Sequence, residues 1–144
     1  MSKEGRLEKG DRRRETGEGR RELGVKKKVE KFEDLEVWQE SMRLALKIYD
    51  TLRDCRDYGL RDQMQRAAVS IPSNIAEGYE RNSNKEFIQY LHIAKGSCSE
   101  LRTHIYLGIQ IGLFSQTVGD ILLESTRKIS AMLYNYIKVR KERF

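Results

Sequence analysis

Residues 66–79 read Arg66-Ala67-Ala68-Val69-Ser70-Ile71-Pro72-Ser73-Asn74-Ile75-Ala76-Glu77-Gly78-Tyr79 and contain the only proline of the 144-residue chain. Apolar residues keep the spacing of one helical face on both sides of this proline, at Met64, Ala67, Ala68, Ile71, Ile75 and Tyr79. A proline inside a helix removes one backbone donor and crowds the carbonyl four residues earlier, here that of Ala68. Neighbouring Ser70, Ser73 and Asn74 can satisfy freed backbone groups. The pattern predicts a helix that continues through a kink, or two helical halves that share one face.

The preceding segment predicts a first helix over residues 35–53, with Asp34 as its N-cap. It carries one apolar stripe at Trp38, Met42, Ala45, Tyr49 and Leu52, and a second at Val37, Ser41, Leu44 and Ile48. A surface helix of a small monomer needs one apolar stripe, about 100° wide. We therefore assign the first stripe to the core of the subunit, and Val37, Leu44 and Ile48 to an interface with another subunit.

Three further helices are predicted over residues 60–80, 84–111 and 116–139. Gly59 fits a turn, Ser83 and Glu86 fit a capping box, and Ser115 fits the N-cap of the last helix. The third helix again has a second apolar strip, at Ile93, Leu107 and Ile111, which we assign to the same kind of interface. Short links without strand-type alternation predict an all-α fold, an antiparallel up-down four-helix bundle over residues 32–144.

The net charge of +6 lies mainly at the N-terminus. Residues 1–31 hold 12 Lys/Arg against 7 Asp/Glu, and the remaining residues hold 16 against 15. With almost no apolar residue, residues 1–31 are expected to form a disordered, charged tail. The tail is either a solvated segment or an arm that contacts nucleic-acid phosphates through Arg12–Arg14, Arg20–Arg21 and Lys26–Lys28, although interleaved Glu residues weaken the second interpretation.

Catalytic and metal-binding patterns are missing from the sequence. His92 and His104 lack the Glu-x-x-His spacing of di-iron bundles, and Cys55 and Cys98 lack metal-type spacing. Glu77 and Glu100 fit caps or hydrogen-bond partners better than general acids or bases. We therefore expect a non-enzymatic protein without a cofactor, a metal or a small-molecule substrate. Since the chain shows neither an apolar signal segment nor a membrane-spanning run, we expect a cytoplasmic location without membrane contact.

Three stretches carry a family resemblance: residues 63–78, residues 32–39, and the third helix at Ser83–Phe87, Tyr90-Leu91 and Gly96-Ser97. Together they resemble the four-helix-bundle proteins encoded in intervening sequences of bacterial 23S ribosomal RNA genes, over roughly residues 32–138. The hallmark includes Pro72, Asn74, Glu77 and Gly78. The resemblance implies a homopentameric ring with a basic central region and an accessory role in binding RNA or a nucleoprotein.

Candidate phosphate-binding residues outside the tail are Arg61, Arg66, Arg81, Lys85, Lys95, Arg102, Lys138, Arg140 and Lys141. Lys95 and Arg102 share one flank of the third helix, and Arg81 and Lys85 lie together at the turn before it. The aromatic residues fall mostly on core stripes, so any nucleic-acid binding would be electrostatic and tolerant of sequence. The alternatives are scattered surface charge on a protein–protein scaffold that binds no nucleic acid and, more distantly, a small-molecule or metal bundle enzyme.

Overall fold

The computed structural model describes residues 28–144, so most of the predicted tail, residues 1–27, lies outside the described residues. A 3₁₀-helix at Phe32–Asp34 precedes four α-helices: α1 Glu36–Thr51, α2 Tyr58–Tyr79, α3 Asn84–Gln110 and α4 Gln116–Arg143. The predicted number, order and type of the helices are confirmed. The predicted and observed helix ends differ by at most four residues.

Side chains at the helix starts explain where three of the four helices begin. The Oγ atoms of Ser83 and Ser115 accept from the backbone N–H groups of Glu86 and Val118, each at 3.1 Å, as their sequence positions predicted. Asp57 accepts from the N–H of Leu60 at 3.1 Å and starts α2 two residues earlier than predicted. Gly59 therefore lies in the first turn of the helix and not in the link.

The assignment of Asp34 as N-cap of α1 was wrong. Asp34 belongs to the 3₁₀-helix, and Leu35 occupies the N-cap position without a side-chain hydrogen bond. The Asp34 carboxylate instead accepts from the backbone N–H of Lys31, at 3.3 Å. The 3₁₀-helix packs close to the start of α1, with the Phe32 and Trp38 ring centroids 5.4 Å apart.

Contacts between α2 and α3, and between α3 and α4, are consistent with the predicted antiparallel arrangement. Ser70 of α2 meets Ser97 of α3, while Gly78, further along α2, meets Tyr90, earlier in α3. Between α3 and α4 the pairs are Asn84 with Arg140 and Cys98 with Thr126. In both pairs of helices the residue numbers rise along one helix as they fall along the other. The links between helices are short enough to reverse the chain at each step.

Every helix contributes to one apolar core. Its fully buried members include Ile48 of α1, Met64, Ile71 and Ile75 of α2, Leu91, Leu101 and Ile105 of α3, and Leu122, Ile129 and Leu133 of α4. Cys98 is also buried, and its thiol donates to the carbonyl oxygen of Thr126 at 3.1 Å. None of the described helices is both long and apolar enough to cross a bilayer.

The second stripe of α1 lies in the core, whereas the first stripe is only partly buried: Ala45 and Leu52 are buried, but Tyr49 is 47% exposed. Val37, Leu44 and Ile48 are buried in the core of the subunit itself, at 5%, 3% and 0% exposure, so assigning them to an intersubunit strip was wrong. Ser41, between them, is also buried, because its hydroxyl donates to the carbonyl of Trp38 at 2.8 Å. A serine whose hydroxyl bonds to its own helix can pack in a core without leaving an unpaired polar group. In the sequence, this serine made the buried stripe look more polar than the other one.

Helix α2 continues through Pro72, so the predicted continuity is confirmed, and the kink stays a prediction. The side-chain amide of Asn74 donates to the carbonyl oxygen of Ser70 at 2.8 Å and to its Oγ at 2.9 Å. The Ser70 hydroxyl also lies 2.8 Å from Ser97 Oγ on α3. The polar residues around the proline therefore tie α2 to itself and to its neighbour.

Candidate functional site

An apolar groove runs along the surface between α1 and α2, here called the α1–α2 groove. It has a volume of about 370 Å³ and is lined by Trp38, Met42, Ala45, Leu46, Tyr49, Val69, Pro72, Ser73 and Ala76. Leu46 and Tyr49 remain 66% and 47% exposed. A soluble subunit that leaves such a contiguous apolar surface uncovered has the character of an interaction site.

The groove follows from the sequence of both helices. On α1 it uses the stripe that was predicted to face the core, together with Leu46, which lies beside it. On α2 the lining residues Pro72, Ser73 and Ala76 are compact, so the surface is concave there. The sequence signal for this site was the doubled apolar character of α1, and only its direction was misassigned.

The second predicted strip is exposed. Ile93 and Leu107 on α3, and Ile111 directly after its last residue, retain 45%, 49% and 53% of their surface. Nearby Tyr106 is also exposed, and its hydroxyl accepts from Arg127 Nη2 of α4 at 3.1 Å. Among the described residues, the α1–α2 groove and the exposed side chains of Ile93, Leu107 and Ile111, here called the α3 strip, are the apolar features that bear on assembly. Assignment of the strip to an oligomer interface stays a prediction.

The hallmark residues Glu77 and Gly78 build the junction between α2 and α3. Arg81 Nη2 donates to Glu77 Oε2 at 3.0 Å and to the hydroxyl of Tyr90, which itself donates to Glu77 Oε2 at 3.1 Å. The guanidinium carbon also lies 5.0 Å from the centre of the Tyr90 ring. The hydrogen bonds to Glu77 and Tyr90 raise the pKa of Arg81, so its positive charge is fixed.

A polar cleft of about 340 Å³ opens beside this junction, between the α2–α3 turn and the end of α4; we call it the end cleft. Arg81 and Arg140 both line it, together with Asn84 and the aromatic residues Tyr79 and Phe87. Burial, the larger effect, raises the pKa of the nearby Tyr136 hydroxyl, and the charge of Arg140 partly opposes this shift. No local sequence pattern indicates that Arg140 lies near the turn, because 56 residues separate it from Asn84.

The nine predicted basic residues are not all brought together. Arg81, Lys85, Lys138, Arg140 and Lys141 lie at the end of the bundle where α2 and α4 finish and α3 begins. Arg61 and Arg66 lie in the first half of α2, where Arg61 pairs with Asp62 at 2.9 Å and stacks on Tyr58. Lys95 and Arg102 are half-buried on α3. Their use in nucleic-acid binding stays a prediction.

The cysteines and histidines show no arrangement that points to catalysis or metal binding within residues 28–144. Burial raises the pKa of the Cys98 thiol to about 11, although Arg102 and Lys95 act in the opposite direction. A thiol that stays protonated is a poor nucleophile.

Cys55 is half-buried, and neither cysteine forms a disulfide among the described residues. His92 is exposed, whereas His104 is buried with its Nδ1 unpaired within residues 28–144. In the same residues no group of three His, Cys, Asp or Glu side chains could hold a metal ion.

Comparisons with known proteins agree with this architecture. A crystal structure of a protein of unknown function from the S23 ribosomal protein family of Bacteroides thetaiotaomicron matches with a TM-score of 0.67 and 24% identity, covering 71% of this chain and 98% of that one. At this identity the match supports the fold alone. No curated protein matches the chain. The family model described as 23S rRNA-intervening sequence protein matches residues 33–135. The chain therefore belongs to the 23S rRNA-intervening sequence protein family.

Proposed function

We propose that this protein is a non-enzymatic, cytoplasmic subunit that assembles into a homopentameric ring and has an accessory role in binding RNA or a nucleoprotein. The observation that carries assembly is the exposure of apolar side chains in the α1–α2 groove and in the α3 strip. A ring requires a heterologous contact, in which one surface of a subunit meets a different surface of the next. The groove is concave and the strip belongs to a single helix, so the two are suited to each other in shape as well as in polarity.

The mass of the native assembly tests this part of the proposal. Light scattering coupled to size exclusion should give five times the chain mass of 16.9 kDa at micromolar concentration. A mass equal to one chain would overturn the proposed assembly. Charge substitutions in the groove and in the strip should each lower the mass, because each removes one half of every contact.

The RNA-binding part is supported by the position of five basic residues at one end of the bundle and by the family name, which refers to a 23S rRNA intervening sequence. In a ring these positions would repeat around the axis and form a continuous positive surface. Binding through phosphates weakens steeply with salt. A filter-binding titration from low to high salt should therefore show a steep, linear fall of log affinity against log salt concentration.

The nearly balanced charge of residues 32–144, 16 Lys/Arg against 15 Asp/Glu, favours a second candidate, a protein–protein scaffold without nucleic acid. The same titration separates the two. Absence of RNA binding at low salt by an intact oligomer would leave the scaffold as the better proposal.

A further inference from the structure

The end cleft holds two arginines from distant parts of the chain. Arg81 follows α2 and Arg140 lies in the last turns of α4, yet both line the same polar cleft of about 340 Å³. Asn84, at the start of α3, lines the same cleft and bonds directly to Arg140. The cleft is large enough to admit a phosphate group together with water.

Arg140 is held in a fixed orientation. Its Nε donates to Asn84 Oδ1 at 2.7 Å, and the Asn84 amide donates back to the Arg140 carbonyl at 3.0 Å. The guanidinium carbon lies 5.0 Å from the Phe87 ring centre and 3.9 Å from that of Phe144. Among residues 28–144, no hydrogen bond engages either Nη group of this arginine. Its two terminal amino groups are therefore free to donate to an incoming oxyanion.

Arg81 is positioned in the same way but by other partners. Its Nη2 atom is engaged by Glu77 and Tyr90, and the Tyr90 ring lies beneath the guanidinium. Within the described part of the chain, its Nε and Nη1 atoms have no hydrogen-bond acceptor. An arginine whose side chain is already ordered loses less conformational entropy when it binds a ligand.

The charge around the cleft is positive but modest. Residues 77–86 hold two basic and three acidic side chains, whereas residues 138–143 hold four basic and one acidic. The local excess of two positive charges favours binding of an anion. This charge alone is too small for specific binding, which also requires correctly placed hydrogen-bond donors. The Arg140 guanidinium supplies that geometry, because its two free Nη groups match a pair of phosphate oxygens. Arg81 adds single donors, from Nε or Nη1, because both N–H bonds of its Nη2 are already engaged.

The geometry points to the end cleft as a phosphate-binding site, in which Arg81 and Arg140 together hold a backbone phosphate of the bound RNA. This assignment rests on the proposed RNA-binding role and names the residues that perform it. It separates the end cleft from the other predicted basic positions, such as Arg61, which is already paired with Asp62 and stacked on Tyr58.

The decisive experiment compares Arg81→Gln and Arg140→Gln with the control Arg53→Gln in filter binding to a single-stranded RNA. Arg53 is exposed, forms an i,i+3 ion pair with Asp50 at 2.8 Å and lies at the other end of the bundle. Its substitution therefore removes the same charge without changing the end cleft. Each cleft substitution should weaken binding about tenfold, the lower limit for losing a hydrogen bond to a charged group. Each should also reduce the salt slope by about one. The control should change neither by more than a factor of about two.

A second measurement does not require RNA. Inorganic phosphate, exchanged for chloride at constant ionic strength, should raise the melting temperature of the wild type and of Arg53→Gln, and should raise that of Arg140→Gln much less. Circular dichroism of each variant confirms that it folds. If Arg140→Gln fails to fold, the exposed Arg81→Gln carries the test alone.

The outcomes are distinguishable. If the wild type binds RNA and the cleft variants behave like Arg53→Gln, the assignment of the end cleft is wrong and the proposed function stands. If RNA does not bind but phosphate stabilises the wild type more than Arg140→Gln, the proposed RNA-binding role is wrong, and the end cleft binds phosphate from another source. If RNA and phosphate both fail to bind, both proposals are overturned.

Discussion

Gly78 of α2 packs directly against Tyr90 of α3, so closely that a Cβ atom on Gly78 would lie 2.5 Å from Tyr90 Cβ. It would also lie 3.0 Å from Cδ1 of Phe87. Real Cβ atoms essentially never approach to 2.5 Å, and the Tyr90 Cβ cannot move away without the α3 backbone to which it is attached. The absence of a side chain at this position therefore sets the separation of α2 and α3 beside the end cleft.

Gly78→Ala should destabilise the protein by about 1–3 kcal/mol, the usual range for overpacking a tight contact. The matched control is Gly96→Ala, since Gly96 is also in the interior of a helix but a Cβ added there would meet no atom within 4 Å. That substitution should stabilise the protein by up to about 1 kcal/mol, through helix propensity alone. Urea denaturation of both variants provides the measurement. Equal effects of the two substitutions would show that the contact with Tyr90 can relax.

The two stripes of α1 predict opposite consequences for two charged double substitutions. Leu44→Glu with Ile48→Lys places charges in the core and should unfold the subunit, because even truncating such residues to Ala costs about 2–5 kcal/mol each. Leu46→Glu with Tyr49→Lys changes residues that are exposed in the groove. This second variant should keep its helical circular dichroism and lose its oligomeric mass.

Light scattering and circular dichroism on both α1 variants decide between folding and assembly. A full-sized oligomer from the Leu46/Tyr49 variant would remove the groove from the proposed interface. A folded Leu44/Ile48 variant would contradict the burial of those two side chains.

The helices could be predicted because periodicity and capping are local properties of the sequence. Ser83 and Ser115 cap the helices that follow them, and the Glu77–Arg81 pair has the i,i+4 spacing of a helical ion pair. Which α1 stripe faces the core could not be predicted from the sequence of α1 itself, because both stripes are apolar. Only the packing of the other three helices determines which stripe is covered. The end cleft was equally hidden, because its two arginines meet only after α4 has returned along α3.

Because the Cys98 thiol is buried, we expect the protein to lose stability at alkaline pH. Its pKa is raised from an ordinary value of 9.0 to about 11 in the folded protein, chiefly by burial. As pH rises from 9 towards 11, the unfolded chain releases this proton and the folded chain retains it, so the free energy of unfolding falls. Two pKa units correspond to a loss of at most about 2.7 kcal/mol once the pH exceeds both values.

Cys98→Ala isolates this contribution, because the Tyr136 hydroxyl, whose pKa is also raised, acts in the same direction in both proteins. The free energy of unfolding, measured in urea between pH 8 and pH 11, should fall less steeply for the variant than for the wild type. Parallel pH profiles would show that the thiol does not ionise differently in the two states.

Deletion of residues 1–27 should leave the thermal stability of the protein unchanged and lower its affinity for RNA. Residues 31–144 form a compact unit of their own, and the Phe32–Trp38 contact that closes its N-terminal end is retained by this deletion. The melting temperature should therefore stay within about 2 °C, the scale of a surface change well below 1 kcal/mol. The deleted segment carries 10 Lys/Arg and 6 Asp/Glu, so RNA affinity should fall and its salt dependence should flatten. Thermal denaturation and a salt titration on the same preparation test both statements. A large drop in melting temperature would contradict the interpretation of this segment as a tail, and an unchanged salt slope would assign the phosphate contacts to the bundle alone.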